Sequence, residues 1–141
     1  MIKDENKIKE LLDKLQQEKE RILRLAGSFL EGKIKEKITL SDPEWPPLKP
    51  ETVKRKKSSK PLIDTGRLRN SITHKIEEDK ALVGVFGEEV VVYAAVHEFG
   101  APRKNIPQRS YLRKTFDEQK DQLEKLVIAE VEKVLKRFGK T

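Results

Sequence analysis

A chain of 141 residues suggests one domain with a single modest core, and with 35% hydrophobic against 39% charged residues it leaves much surface to water or to partners. The absence of cysteine excludes a disulfide framework and any thiolate metal site, and suits a reducing compartment. The formal net charge of +7 favours polyanions at long range, yet acids and bases alternate along most of the chain. A solvated lysine-rich surface is therefore the stronger reading everywhere except Lys54-Arg55-Lys56-Lys57 and Lys60. No apolar run approaches the roughly 18–20 residues of a membrane span, and Met1-Ile2-Lys3-Asp4-Glu5-Asn6 lacks the apolar stretch of a signal peptide. The expectation is a soluble protein made and used in a cytoplasm.

In chain order, residues from about 3 to 38 carry a helical pattern. Ile8, Leu15, Ile22 and Phe29 recur every seven positions, with Leu11, Leu12, Leu25 and Ala26 on the same side. The repeat permits a coiled coil with another chain and equally permits packing on this chain's own sheet; glutamate and lysine at several inner positions favour the second. Gly27 and Gly32 are costly in a helix interior, so a bend or break is expected there. Residues 41–50 are too rich in proline for regular structure and form an extended connector pinned by Trp45 and Leu48. Pro50 can open a short helix to about Lys57, followed by a basic loop. Asp64 or Thr65 can cap another short helix from Gly66 to Ser71.

The period then changes. Ile72, His74 and Ile76 alternate as in a strand, Glu77-Glu78-Asp79-Lys80 turns, and Leu82 to Phe86 returns as the second strand of a hairpin. Gly87-Glu88-Glu89 is expected to turn again, and Val90-Val91-Val92 is either a third strand or the entry to a helix. Tyr93 to Phe99 is a short helix stopped by Gly100 and Pro102, and Ile106 can start a last short strand. Residues 110–138 form a second long helix on Phe116, Leu123, Val127, Val131, Val134 and Phe138, with Ser110 as its cap and Gly139 at its end. The fold class is α+β: a long N-terminal helix, a small antiparallel β-sheet with short helices, and a long C-terminal helix. As one domain over 1–141 it divides into the helix (1–40), a proline-rich and basic connector (41–61), the sheet with short helices (62–109) and the closing helix (110–138).

Catalytic chemistry finds little footing. His97-Glu98 lacks the second histidine that a helical zinc motif places four residues on, since position 101 is alanine and His74 is the only other histidine. The serines lack a nucleophile elbow and a histidine partner, and no phosphate-loop pattern occurs. No catalytic residue, metal ligand, cofactor or small-molecule substrate is expected. His97 is read as a locally bonded helix residue and Glu98 as the partner of a lysine or arginine. Nucleic-acid binding is the serious rival: Lys54 to Lys60 could contact phosphates non-specifically, but no aromatic platform accompanies them.

Four blocks in order carry a resemblance. They are Trp45-Pro46-Pro47-Leu48 with Thr52 and the Lys54–Lys57 turn; Leu62-Ile63-Asp64-Thr65-Gly66-Arg67-Leu68-Arg69-Asn70-Ser71-Ile72; Tyr93-Ala94-Ala95-Val96-His97-Glu98-Phe99-Gly100; and Ile106-Pro107-Gln108-Arg109 before the closing helix. Together, over about residues 38 to 138, they resemble the phage virion morphogenesis (tail-completion) family. The resemblance implies a non-enzymatic structural protein of a phage or prophage, joining head to tail or completing the tail at the virion neck. It would be made in the bacterial host cytoplasm and would contact the head connector or portal side and tail proteins. A homo-oligomeric ring is implied, with non-specific contact to passing DNA as a further expectation and no membrane.

Within the blocks, Asp64, Thr65 and Gly66 are expected to fix a chain reversal, with close backbone approach at Gly66. Leu62, Leu68 and Ile72 should enter the core, Ser71 belongs to the same block, and Tyr93, Val96 and Phe99 should bury on one helical face. Pro107 fixes direction, and Arg109 is expected to fork onto Glu98 or Asp64. Lys54, Arg55, Lys56, Lys57, Lys60, Glu88-Glu89, Arg103 and Lys104 are the candidates for interface or DNA-facing positions.

Overall fold

The computed structural model describes residues 5–48 and 66–139. The elements in order are α1 (Glu5–Leu40), α2 (Arg67–Ser71), β1 (Thr73–Glu77), β2 (Lys80–Gly84), α3 (Glu88–Phe99), a 3-10 turn (Pro102–Lys104) and α4 (Arg113–Gly139). The expected α+β architecture is present: two long helices, a two-stranded antiparallel sheet and short helices between. The expected helix from Pro50 to Lys57 and the basic loop lie outside the described residues.

The long helices run antiparallel. Arg137 meets Glu18 at 3.3 Å at one end and Lys37 meets Glu118 at 2.7 Å at the other, with Arg21–Glu130 at 3.1 Å between. α1 is one unbroken helix, so the chain does not break at Gly27 or Gly32. Gly27 has a different purpose: an alanine Cβ there would sit 2.8 Å from His74 Cδ2, so the missing side chain lets β1 lie directly on the helix. His74 Nδ1 then lies 3.1 Å from Glu31 Oε1. At Gly32 no atom lies within 4 Å of such a Cβ.

The hairpin pairs Thr73 with Gly84 through Glu77 with Lys80, and Glu78 in the turn takes φ 53°. The returning strand thus ends at Gly84, short of the expected Phe86. Gly87 is the N-cap of α3, so Glu88 and Glu89 form the first turn of a helix, and Val90-Val91-Val92 are helical. The expected last strand shrinks to a single bridge between Ala101 and Ile106.

The core gathers at one end. Ile34 and Ile38 of α1, Trp45 of the connector, Leu68 and Ile72 around α2, Ala94 of α3 and Tyr111 before α4 form one buried cluster. Leu48 is half-buried beside Trp45 in sequence. Away from this head, the first half of α1 and the second half of α4 form a two-helix arm whose buried residues include Ile22 and Val134.

Candidate functional site

Members of all four motif blocks meet at the head, and several of them differ from expectation. Glu98 is 5% exposed and pairs with no cation among the described residues. Its carboxylate accepts four hydrogen bonds: from Ser110 Oγ at 2.7 Å, Tyr111 N at 2.9 Å, Leu112 N at 2.9 Å and Arg113 N at 3.1 Å. A helix begins with backbone N–H groups that have no partner inside it and with the positive end of its dipole. Glu98, delivered from α3, satisfies both for α4. Ser110 contributes as expected but secondarily, its Oγ accepting from Lys114 N at 3.3 Å.

Arg109, also 5% exposed, does not fork onto Glu98. Its Nε donates to the Pro46 carbonyl at 2.9 Å and its Nη2 to the Pro47 carbonyl at 3.4 Å, while its own N–H donates to His97 O at 2.9 Å. The proline connector is thereby tied to the segment before α4: two prolines present carbonyls without backbone donors of their own, and a planar guanidinium reads them as a pair. Burial lowers the Arg109 pKa from its ordinary value. The other candidate partner, Asp64, lies outside the described residues.

Tyr111 is fully buried and its hydroxyl donates to Ala94 O at 2.7 Å. Burial, with the Glu98 charge nearby, pushes its pKa above the ordinary phenol range. Gly100 takes φ 79°, and an added Cβ would meet Gln108 N at 2.9 Å, so both conformation and space demand glycine there. Gly66 takes φ 78° at the N-cap of α2, without a side-chain cap bond. It holds the left-handed conformation there, and among the described residues the nearest atom to a Cβ is Asn70 Nδ2 at 3.4 Å. Ser71 Oγ donates to Leu68 O at 2.6 Å. The His97 ring meets the Tyr93 ring edge-on at 4.7 Å, and the Arg67 guanidinium lies 5.9 Å from the Tyr93 ring centroid. Pro107, Arg103 and Lys104 are exposed. Leu62, Asp64, Thr65, Lys54, Arg55, Lys56, Lys57 and Lys60 lie outside the described residues.

Phe99 was expected to be buried and is 70% exposed. The buried face of α3 is Ala94 and Glu98, one turn apart, and Phe99 falls beside it at the lip of an apolar groove of about 580 Å³. Leu30, Val83, Val85, Val91 and Phe116 are among its walls. Among the described residues its charged lining residues are Glu98 and Arg113, and the Glu98 carboxylate is already committed to four donors. The groove offers apolar surface in place of an available acid, base or nucleophile. Among the described residues no group of three or more His, Asp or Glu is placed to hold a metal ion, and no helix is long and apolar enough to cross a membrane.

A second polar cluster joins the opposite ends of the long helices, and no motif in the sequence announced it. Asp42 follows Ser41, which leaves α1 at φ 63°. Its Oδ2 accepts from Lys114 Nζ at 2.7 Å and Lys37 Nζ at 3.0 Å, and its Oδ1 from Glu44 N at 2.8 Å. Burial alone would raise the Asp42 pKa; the Lys114 ammonium, the Glu44 N–H and the Lys37 ammonium outweigh it and hold the carboxyl well below the usual range. For Lys37, too, burial works against the charged form, and the carboxylates of Glu118 and Asp42 raise its pKa.

The model of the phage virion morphogenesis family matches residues 3–132. The chain belongs to that family. An uncharacterized protein of the archaeon Methanocaldococcus jannaschii is 34% identical over 127 residues, which are 86% of each chain. No solved structure matches. Family membership gives a role in virion morphogenesis and associates the protein with the phage particle.

Proposed function

We propose that this protein acts at the neck of the particle, in head–tail joining or tail completion, by docking and assembly rather than by bond-making chemistry. The observation that carries the docking reading is the fate of Glu98. Among the described side chains it is the one carboxylate lining the apolar groove, and its oxygens are engaged in starting α4. What the groove has left to offer is exposed Phe99, Val91 and Phe116, surface that gains by being covered. Head-connector or portal-side proteins and tail proteins are the expected partners, with a homo-oligomeric ring as the working form. Contact with passing DNA through Lys54 to Lys60 would be non-specific and lost as salt rises.

Deleting the gene from its resident phage or prophage tests this reading. Electron microscopy of the lysate should show heads and tails that fail to join, and supplying the gene in trans should restore whole particles. Intact, infectious particles in the deletion strain would overturn it. A gel-shift salt titration separates the alternative, a non-specific nucleic-acid-binding protein, which would hold DNA tightly at low salt and lose it steeply when Lys54 to Lys57 are neutralised.

A further inference from the structure

α4 leaves the head about half-way along its length. The pairs Lys37–Glu118 and Glu18–Arg137 set the register of the long helices, which places Val127 level with Gly27. Beyond that level the two helices are held differently. α1 is tied to the hairpin as well: Lys19 pairs with Asp79 in the turn, and Gly27 lets His74 lie against the helix, its Nδ1 3.1 Å from Glu31. Residues 127–139 of α4 have α1 as their packing partner among the described elements.

Seven of the nine buried apolar residues belong to the head cluster, and Val134 is the one that this half of α4 supplies. Around it Val131 and Leu135 are exposed and line an open trough of about 270 Å³ against Leu15, Ile22 and Leu23. Phe138, one turn on, is half-buried. Ion pairs bracket this patch, with Glu130 a turn before Val134 and Arg137 a turn after. Across the seam Arg21 meets Glu130 at 3.1 Å and Glu18 meets Arg137 at 3.3 Å. Arg21–Glu18 at 2.8 Å and Lys133–Glu130 at 3.2 Å join these crossings into one network. The other charged groups on these turns, Lys14, Glu20 and Arg24 of α1 and Glu132 and Lys136 of α4, make no pair across the seam among the described residues.

Partly exposed pairs of this kind are weak one at a time and are screened by salt. A segment held by them and by one buried apolar residue has the low local stability from which partial opening starts. Residues 127–139 are also no longer than the roughly 12–15 residues that a helix needs to persist by itself, so this half of α4 loses its helix when it loses the seam. We propose that residues 127–139 form a strap that lifts from α1 as one unit while the head stays folded, and that the Glu18–Arg21 network sets how often it lifts. The lifted state uncovers Ile22 and Val134, apolar surface that the closed arm hides. The device belongs to the fold and does not depend on where in the particle the protein sits.

Native-state hydrogen exchange of the full-length chain tests the strap. A double variant, Glu18→Gln with Arg21→Gln, keeps the net charge and removes both crossings at once. Amides 131–137 should share one opening, at least about tenfold more frequent than that of amides 116–119 nearer the head. Sodium chloride at about 1 M, where the Debye length is about 3 Å, should raise the exchange of amides 131–137 at least about threefold, and the double variant should do the same at low salt. Trp45, the one tryptophan of the chain and buried in the head, should keep its fluorescence throughout. Four results would each overturn the strap: equal protection in both halves of α4; exchange that rises residue by residue toward Gly139, as in simple fraying; exchange indifferent to salt and to the double variant; or a Trp45 signal that changes along with the amides.

Discussion

The head and the arm of this molecule are built from the same two helices by opposite means. In the head, polar side chains tie segment to segment: Glu98 starts α4, Arg109 ties down the proline connector, and Asp42 clamps Lys37 to Lys114. In the arm, α1 and α4 meet along a narrow seam and leave Leu12, Ile128 and Leu135 in water. The head spends its motif residues on holding one shape. The arm keeps apolar surface in reserve.

Substitutions in the head should break that contrast hardest. Glu98→Ala would strand the N–H groups at the start of α4 and remove charge-assisted bonds, costing about 3 kcal/mol and about 10 °C of melting midpoint; Glu98→Gln, which keeps an acceptor, should cost less, as thermal unfolding would show. Gly100→Ala combines strained backbone with a clash on Gln108 and should cost about 2 kcal/mol or more. Asp42→Asn leaves two lysines without their shared carboxylate, a loss of about 2 kcal/mol.

The Asp42 clamp also has a pH signature. Its folded pKa is depressed, so its contribution is fully present above the unfolded value of about 3.9 and is lost as pH falls through the lower folded value. Acid unfolding of the native protein should therefore steepen below about pH 4, and Asp42→Asn should flatten that limb. The smallest effects come from a matched pair within α1. Gly32→Ala, with open space around it, should stabilise by about 0.5–1 kcal/mol. Gly27→Ala, facing His74, should destabilise instead, because the ring and the strand beneath it must shift. Equal signs for the two would contradict the close approach of β1 to α1.

The long helices and the hairpin were legible because their periods are long or clean: sevens in residues 8–29, alternation in 72–76. The start of α3 was ambiguous because Val90-Val91-Val92 suits a strand by local preference, and tertiary packing of Ala94 and Glu98 decided for helix. Aromatic residues misled the choice of face. Tyr93 and Phe99 looked like the inward stripe, yet the inward pair is a small residue and a carboxylate, because the space beneath holds the Tyr111 ring against Ala94 and the backbone of Tyr111 to Arg113 against Glu98. Partners that are backbone groups leave no trace in a sequence pattern. That is why Arg109 reads as a carboxylate's partner and instead meets two proline carbonyls. Distance along the chain hides the others: Asp42 takes its shortest lysine contact from Lys114 on the far helix, and Gly27 reads as a weakness of the helix because the strand it accommodates lies 47 residues further on at His74.

One comparison bears most directly on the claim that function resides in exposed apolar surface. Phe99→Asp at the lip of the groove should be measured for melting midpoint and, in the phage, for yield of infectious particles. Because the ring is largely in water already, the melting midpoint should hold within about 2 °C while joined particles are lost. Normal particle yield from a chain carrying that aspartate would contradict the account.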